Sequence, residues 1–160
     1  MQSCVRTMTL ADARATCALA RALAPRLTPG DTVLLEGPIG AGKTHFARCL
    51  IQSLLSTPED IPSPTFTLVQ TYDTPSGEIW HGDLYRLSDP SEVVELGLAD
   101  AFETAICLIE WPDRLGSLAP PSALRLSLHP DGTGDVRTAH LTGNTPRWRD
   151  LLNGLTFEHA

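Results

Sequence analysis

Residues 37–44 read GPIGAGKT, and no other stretch limits the fold so tightly. Gly37 and Gly42 bracket four residues, and Lys43 and Thr44 follow, which matches G-x-x-x-x-G-K-[ST]. That spacing works only where a strand feeds the loop and a helix leaves it. Both are present in the sequence. Residues 32–36 (TVLLE) form a short apolar run of the buried-strand type, and residues 43–55 read as a helix. A buried strand joined to a helix by a tight loop is the unit of α/β proteins, so a central, mostly parallel sheet flanked by helices is predicted.

The remaining segments extend that scheme. Thr9 and Asp12 read as a capping box that opens a helix running to about residue 27. Strands are expected over 67–72, 78–83 and 105–110, with a proline-containing loop over 57–64 and a turn over 74–77. Asp89-Pro90-Ser91 opens a short helix. Residues 124–128 and 136–141 flank Asp131-Gly132-Thr133-Gly134 and read as a β-hairpin, which adds antiparallel strands at an edge. Thr145-Pro146 starts a last helix, with proline at its first position. There are no repeats and no linker, so residues 1–160 are expected to form a single domain.

Charge and cysteine usage exclude several classes. The formal charge of −7 argues against a chain that holds nucleic acid by itself, because phosphate contacts need a basic surface. Apolar runs reach only four or five residues, too short to span a membrane. The first ten residues lack the pattern of a signal peptide, and a cytoplasmic protein is expected. The four cysteines (Cys4, Cys17, Cys49 and Cys107) form no C-x-x-C. Cys17, Cys49 and Cys107 fall in apolar periodic segments and read as reduced core residues, with neither zinc nor a disulfide.

The loop carries the chemistry. Glycines let consecutive main-chain N–H groups turn inward as an anion nest, and the following helix adds its positive end. Pro38, Ile39, Gly40, Ala41, Gly42, Lys43 and Thr44 are therefore candidates to bind the phosphates of a nucleotide. Lys43 is the only lysine, against eleven arginines. Elsewhere arginine can stand in for lysine. Inside the loop a compact ammonium is needed, and a planar guanidinium does not fit. Lys43 is thus a catalytic candidate, placed to reach the terminal phosphates, and Thr44 offers a hydroxyl to Mg²⁺. A metal carboxylate is expected at the end of a nearby strand. Glu110 closes the apolar run ICLIE, and Asp83 ends EIWHGD; both are candidates to hold the metal, one directly and the other through water, and to serve in catalysis by ordering a water. Thr65, in SPTF, is a candidate to approach the metal or the attacking water. Trp111 faces nucleotide or partner if it is exposed. Arg86 is a candidate for γ-phosphate sensing or partner docking.

GAGKT, SPTFTL, HGDLYRL, the stretch from Asp89-Pro90 to Glu95-Leu96-Gly97-Leu98 and ICLIEWP occur here in that order. Together they resemble the bacterial TsaE (YjeE) family, over about residues 9–141. The resemblance implies a small P-loop NTPase fold that binds ATP and Mg²⁺ and hydrolyses ATP. Its partners would be the proteins TsaD and TsaB, which transfer a threonylcarbamoyl group to an adenosine of tRNAs reading codons that start with A. Contact with tRNA would be indirect. By family pattern Lys43 and Thr44 match the P-loop pair, Asp83 the aspartate of H-x-D and Glu110 the glutamate of EWP, both near Mg²⁺. Gly134, in the hairpin turn, would lie close to the nucleotide. Three positions depart from the pattern: His45 replaces a second hydroxyl, Gly82 a larger residue within H-x-D, and Asp135 a frequent arginine, which takes a cation away from that turn.

Other readings stay open. A GTPase switch needs N-K-x-D, which a chain whose one lysine is Lys43 does not contain. A small-molecule phosphotransferase would use Asp83 as base for an acceptor hydroxyl, although no arginine-dense lid is evident. A nucleotide-gated interaction module would bind ATP with negligible hydrolysis.

Overall fold

The computed structural model describes residues 4–64, 68–132 and 134–156. One seven-stranded sheet organises them, in the order β1-β7-β6-β2-β5-β4-β3. The strands are β1 (Cys4–Leu10), β2 (Thr32–Glu36), β3 (Val69–Thr74), β4 (Gly77–Asp83), β5 (Ile106–Glu110), β6 (Leu124–Pro130) and β7 (Arg137–Gly143). The inner four, β6, β2, β5 and β4, run parallel. Antiparallel partners flank them: β7 and then β1 beyond β6, and β3 beyond β4. The predicted α/β class, parallel centre and antiparallel edges are all present.

Alternation along the central strands builds two cores. Val33 and Leu35 of β2, with Ile106 and Leu108 of β5, face one side. There they meet α1 (Ala13–Leu23), α2 (Lys43–Leu54) and α5 (Pro146–Gly154). Leu34, Cys107 and Ile109 face the other side, against α3 (Ser91–Glu95), α4 (Leu98–Thr104) and a 3-10 segment, Pro112–Leu118. Strands buried on both faces read as continuous apolar runs, which is why 32–36 and 106–110 were legible. Phe46 of α2 is wholly buried, a gain of about 1.5–3 kcal/mol for a side chain of that size.

Several boundaries differ from expectation. Thr9 caps no helix: it lies within β1, paired with Thr138 of β7. The N-cap is Asp12, whose carboxylate accepts from Ala15 N at 2.9 Å. Helix α1 ends at Leu23 and a 3-10 turn, Ala24–Arg26, follows. The region after Asp89 holds two helices, because Gly97 adopts φ +86° between them. Thr145 does cap α5, accepting from Trp148 N at 3.3 Å. Thr65, Thr67 and Thr133 lie outside the described residues.

The cysteine expectation fails for one pair. Cys17 of α1 and Cys49 of α2 form a disulfide, with their Cα atoms 5.3 Å apart. Two packed helices bring these residues within bonding range, a proximity that a separation of 32 residues does not reveal. Cys4 and Cys107 are free thiols, and burial pushes the Cys107 thiol up to about 12. No helix among the described residues is long and apolar enough to cross a membrane.

Candidate active site

A cavity of about 410 Å³ opens where the C-terminal ends of β2, β4 and β5 meet the start of α2. This is the end of a parallel sheet at which α/β proteins place their ligands. Residues Ile39 to His45 form one wall, and Asp83, Tyr85, Glu110 and Trp111 form the other.

The loop is shaped by left-handed glycines. Gly40 has φ +82° and Gly42 φ +100°, values that only glycine adopts without strain. Alternating the backbone hand in this way aims successive N–H groups at one point. Gly37 is required for a second reason: a Cβ there would lie 2.3 Å from the Leu128 carbonyl oxygen of β6. The loop thus sits directly against the neighbouring strand.

Lys43 opens α2 and is 5% exposed. Its ammonium donates to the Gly37 carbonyl and lies 3.6 Å from the centroid of the Trp111 ring. Burial holds its pKa below the ordinary 10.5, while the charges of Glu110, Asp83 and Asp113 act in the opposite direction. Trp111 takes a left-handed backbone, φ 58° and ψ 55°, which is rare for a residue of its size and is a mark of functional sites. Tyr85 packs against it with the ring centroids 4.9 Å apart and the planes tilted by 51°.

The two acids are direct neighbours. β4 and β5 are parallel and in register, so Asp83 pairs with Glu110 at the ends of adjacent strands. Both are buried. Glu110 Oε1 accepts from the Thr44 hydroxyl at 2.7 Å, and Glu110 Oε2 accepts from His81 Nε2 at 2.7 Å. Asp83 Oδ1 accepts from Tyr85 N at 3.0 Å. Among the described residues no three His, Cys, Asp or Glu side chains cluster as a ready-made cation cage. A hydroxyl and two carboxylates facing a phosphate loop suit Mg²⁺ nonetheless, because that ion keeps several waters and takes phosphate oxygens as ligands.

Lys43, Thr44, Asp83 and Glu110 are therefore brought together as the sequence suggested, and Ile39, Gly40, Ala41 and Gly42 join them. Pro38 instead lines an adjoining cavity of about 440 Å³ with Gly37, Trp111 and Arg125. Gly134 and Arg86 are not among the described residues lining the site. In the sequence His81 stands out only as part of HGDLYRL. Its signal was present: positions two apart in a strand share a face, so His-x-Asp sets His81 and Asp83 side by side. Arg137 was missed altogether. It supplies a cation beside the hairpin turn, two residues beyond the aspartate that had removed one, and donates to the Gly40, Ala41, Gly134 and Val136 carbonyls.

The family model described as "Threonylcarbamoyl adenosine biosynthesis protein TsaE" matches residues 10–138. Among curated relatives, TsaE of Rickettsia felis is 44% identical over 110 residues, which are 69% of this chain and 64% of that protein, just under two thirds of its length. TsaE of Bacillus subtilis is 36% identical over 142 residues, 88% of this chain and 87% of that one. The crystal structure of Bacillus subtilis YdiB superposes with a TM-score of 0.79 at 26% identity, covering 97% of this chain and 96% of the other.

Proposed function

The chain belongs to the TsaE family of threonylcarbamoyl adenosine biosynthesis proteins, and on that premise we propose that it binds Mg-ATP in the cavity above β2 and hydrolyses it in support of the TsaD–TsaB complex. The observation that carries the reading is the meeting of Lys43, Thr44, Asp83 and Glu110 around one glycine loop.

The geometry supports a role for each group. The N–H groups of the loop and the N-terminal end of α2 would hold the β- and γ-phosphates. The Lys43 ammonium would leave the Gly37 carbonyl and the Trp111 ring for the phosphate oxygens, a stronger pairing for a cation held in a partly dry site. Thr44, Asp83 and Glu110 would hold Mg²⁺, which neutralises charge on the transferring phosphoryl group. His81 orients the Glu110 carboxylate from behind. Asp83 and Glu110 would order a water for attack.

Hydrolysis by the isolated chain is expected to be slow. Arg86 is exposed and, like every other arginine, is absent from the described cavity wall, so no cation besides Lys43 stands ready for the γ-phosphate. A partner that completes or orders the site would raise turnover. The test is ATP hydrolysis by the purified chain, alone and with TsaD, TsaB and tRNA. Faster phosphate release in the mixture supports the reading. Equal negligible release in both arms, with ATP still bound, would favour a nucleotide-gated module. Transfer of phosphate to a metabolite in place of water would favour a phosphotransferase.

A further inference from the structure

A loop that points its N–H groups inward must point carbonyls outward. Phosphate satisfies the inner face when a nucleotide is bound. On the outer face Ala41 is buried, where a carbonyl without a partner costs about 1–3 kcal/mol, while Gly40 is exposed.

One side chain supplies donors to both. Arg137 is the first residue of β7, fixed in the sheet by its pairing with Leu10 of β1 and Pro130 of β6. Its Nε donates to the Ala41 carbonyl at 3.0 Å and its Nη2 to the Gly40 carbonyl at 3.1 Å. Its Nη1 donates to Gly134 and Val136, both at 3.0 Å. Gly40 and Ala41 belong to the segment whose backbone alternates in hand, while Gly134 and Val136 belong to the β6–β7 turn. A single planar group therefore ties the back of the phosphate loop to the hairpin. Three nitrogens in a fixed plane are what this requires. An ammonium at the end of a flexible stem cannot serve four carbonyls in these directions.

We propose that Arg137 is a positioning residue of the phosphate loop: its guanidinium fixes the outward carbonyls of Gly40 and Ala41 and so holds the inward N–H groups ready for the phosphates. The inference rests on the nucleotide reading above. Arg137 touches no phosphate in this role. It acts through the loop, and the hairpin becomes part of the binding machinery. Because the nest is needed by any nucleotide with a β-phosphate, ADP and ATP depend on Arg137 to the same degree.

The test is calorimetry with MgADP on the wild type and on Lys43→Ala, Arg137→Lys and Arg137→Ala, each with its thermal midpoint. Wild-type binding that is lost in Lys43→Ala establishes the pocket; a wild type that binds no ADP overturns the nucleotide reading and this inference with it. Given wild-type binding, both Arg137 variants are expected to weaken Kd about tenfold, the order of one net hydrogen bond lost from the preorganised loop. The binding-competent fraction should stay unchanged. Millimolar guanidinium, well below denaturing levels, should restore part of the affinity of Arg137→Ala and leave the wild type unaffected. A Kd within twofold of wild type in both variants overturns the proposal. So does a lower competent fraction with unaltered Kd and no rescue, which is the signature of a merely structural residue.

Discussion

The hydroxyl of Thr44 donates to Glu110 Oε1 at 2.7 Å, joining the first turn of α2 to the end of β5 across the floor of the cavity. The contact links the two residue types that a phosphate loop needs beside its metal. It also keeps a buried carboxylate satisfied when no cation is near. Glu110→Gln keeps the size and removes the charge. Its half-saturating Mg²⁺ concentration for ATP turnover is expected to rise by about tenfold or more. An unaltered Mg²⁺ titration would remove Glu110 from the metal site.

His81 is wholly buried, and its Nε2 donates to the other oxygen of the same carboxylate. Its Nδ1 has no partner among the described residues. Leaving a buried ring nitrogen unpaired costs about 1–3 kcal/mol, against which the bond at Nε2 is set. His81→Phe is expected to lower Mg²⁺-dependent turnover about 10–100-fold, the usual cost of losing an outer partner of a metal ligand. His81→Gln, which retains a donor, should recover part of it. If Phe and Gln behave alike, the imidazole is filling space and does not orient Glu110.

Lys43 gives the site a pH limb with a defined sign. Burial lowers its pKa, so the free protein begins to lose the ammonium at a lower pH than an ordinary lysine would. Phosphate oxygens favour the charged form, so binding takes up a proton wherever Lys43 is partly neutral. Affinity for ADP is expected to be level below that pKa and to fall above it, with the fall beginning at a lower pH than 10.5. Calorimetry in buffers of different ionisation heat reads the proton uptake directly. Affinity that stays flat through the alkaline range would contradict the placement of Lys43.

The thiols can be counted. Protein purified without reductant should show one reactive thiol when native, Cys4, and a second, Cys107, only after unfolding. Reduction should release Cys17 and Cys49 and lower stability by about 3–4 kcal/mol, the loop-entropy value for residues this far apart. The readouts are thiol titration and the urea midpoint. Four thiols in urea without reductant would rule out the bond.

Much of the core was readable because it rests on local patterns. Residues 32–36 and 106–110 are apolar runs of strand length, and both are buried except at Glu36. The hairpin over 124–141 and the Thr145-Pro146 helix start were visible through turn and cap residues. β1 was not visible. Its alternation is half-buried at a sheet edge, and the chemistry of Thr9 and Asp12 imitated a cap one turn early. The second helix after Asp89 was hidden for a similar reason: Gly97 breaks the pattern, and only packing against Trp80 shows why.

From the residues alone came the glycine loop, the sole lysine inside it, and two strands that end in acids. Each is a matter of spacing along the chain, where a few bonds fix distance and direction. Folding decided what spacing cannot: that Asp83 and Glu110 are register partners, that Thr44 reaches Glu110 with His81 behind it, that Cys17 meets Cys49, and that Arg137 closes over the back of Gly40 and Ala41. Those contacts join residues from 27 to 97 positions apart. The direction in which the chain returns to the sheet sets them, through the order of strands and the packing of two helices, and no local preference encodes that order.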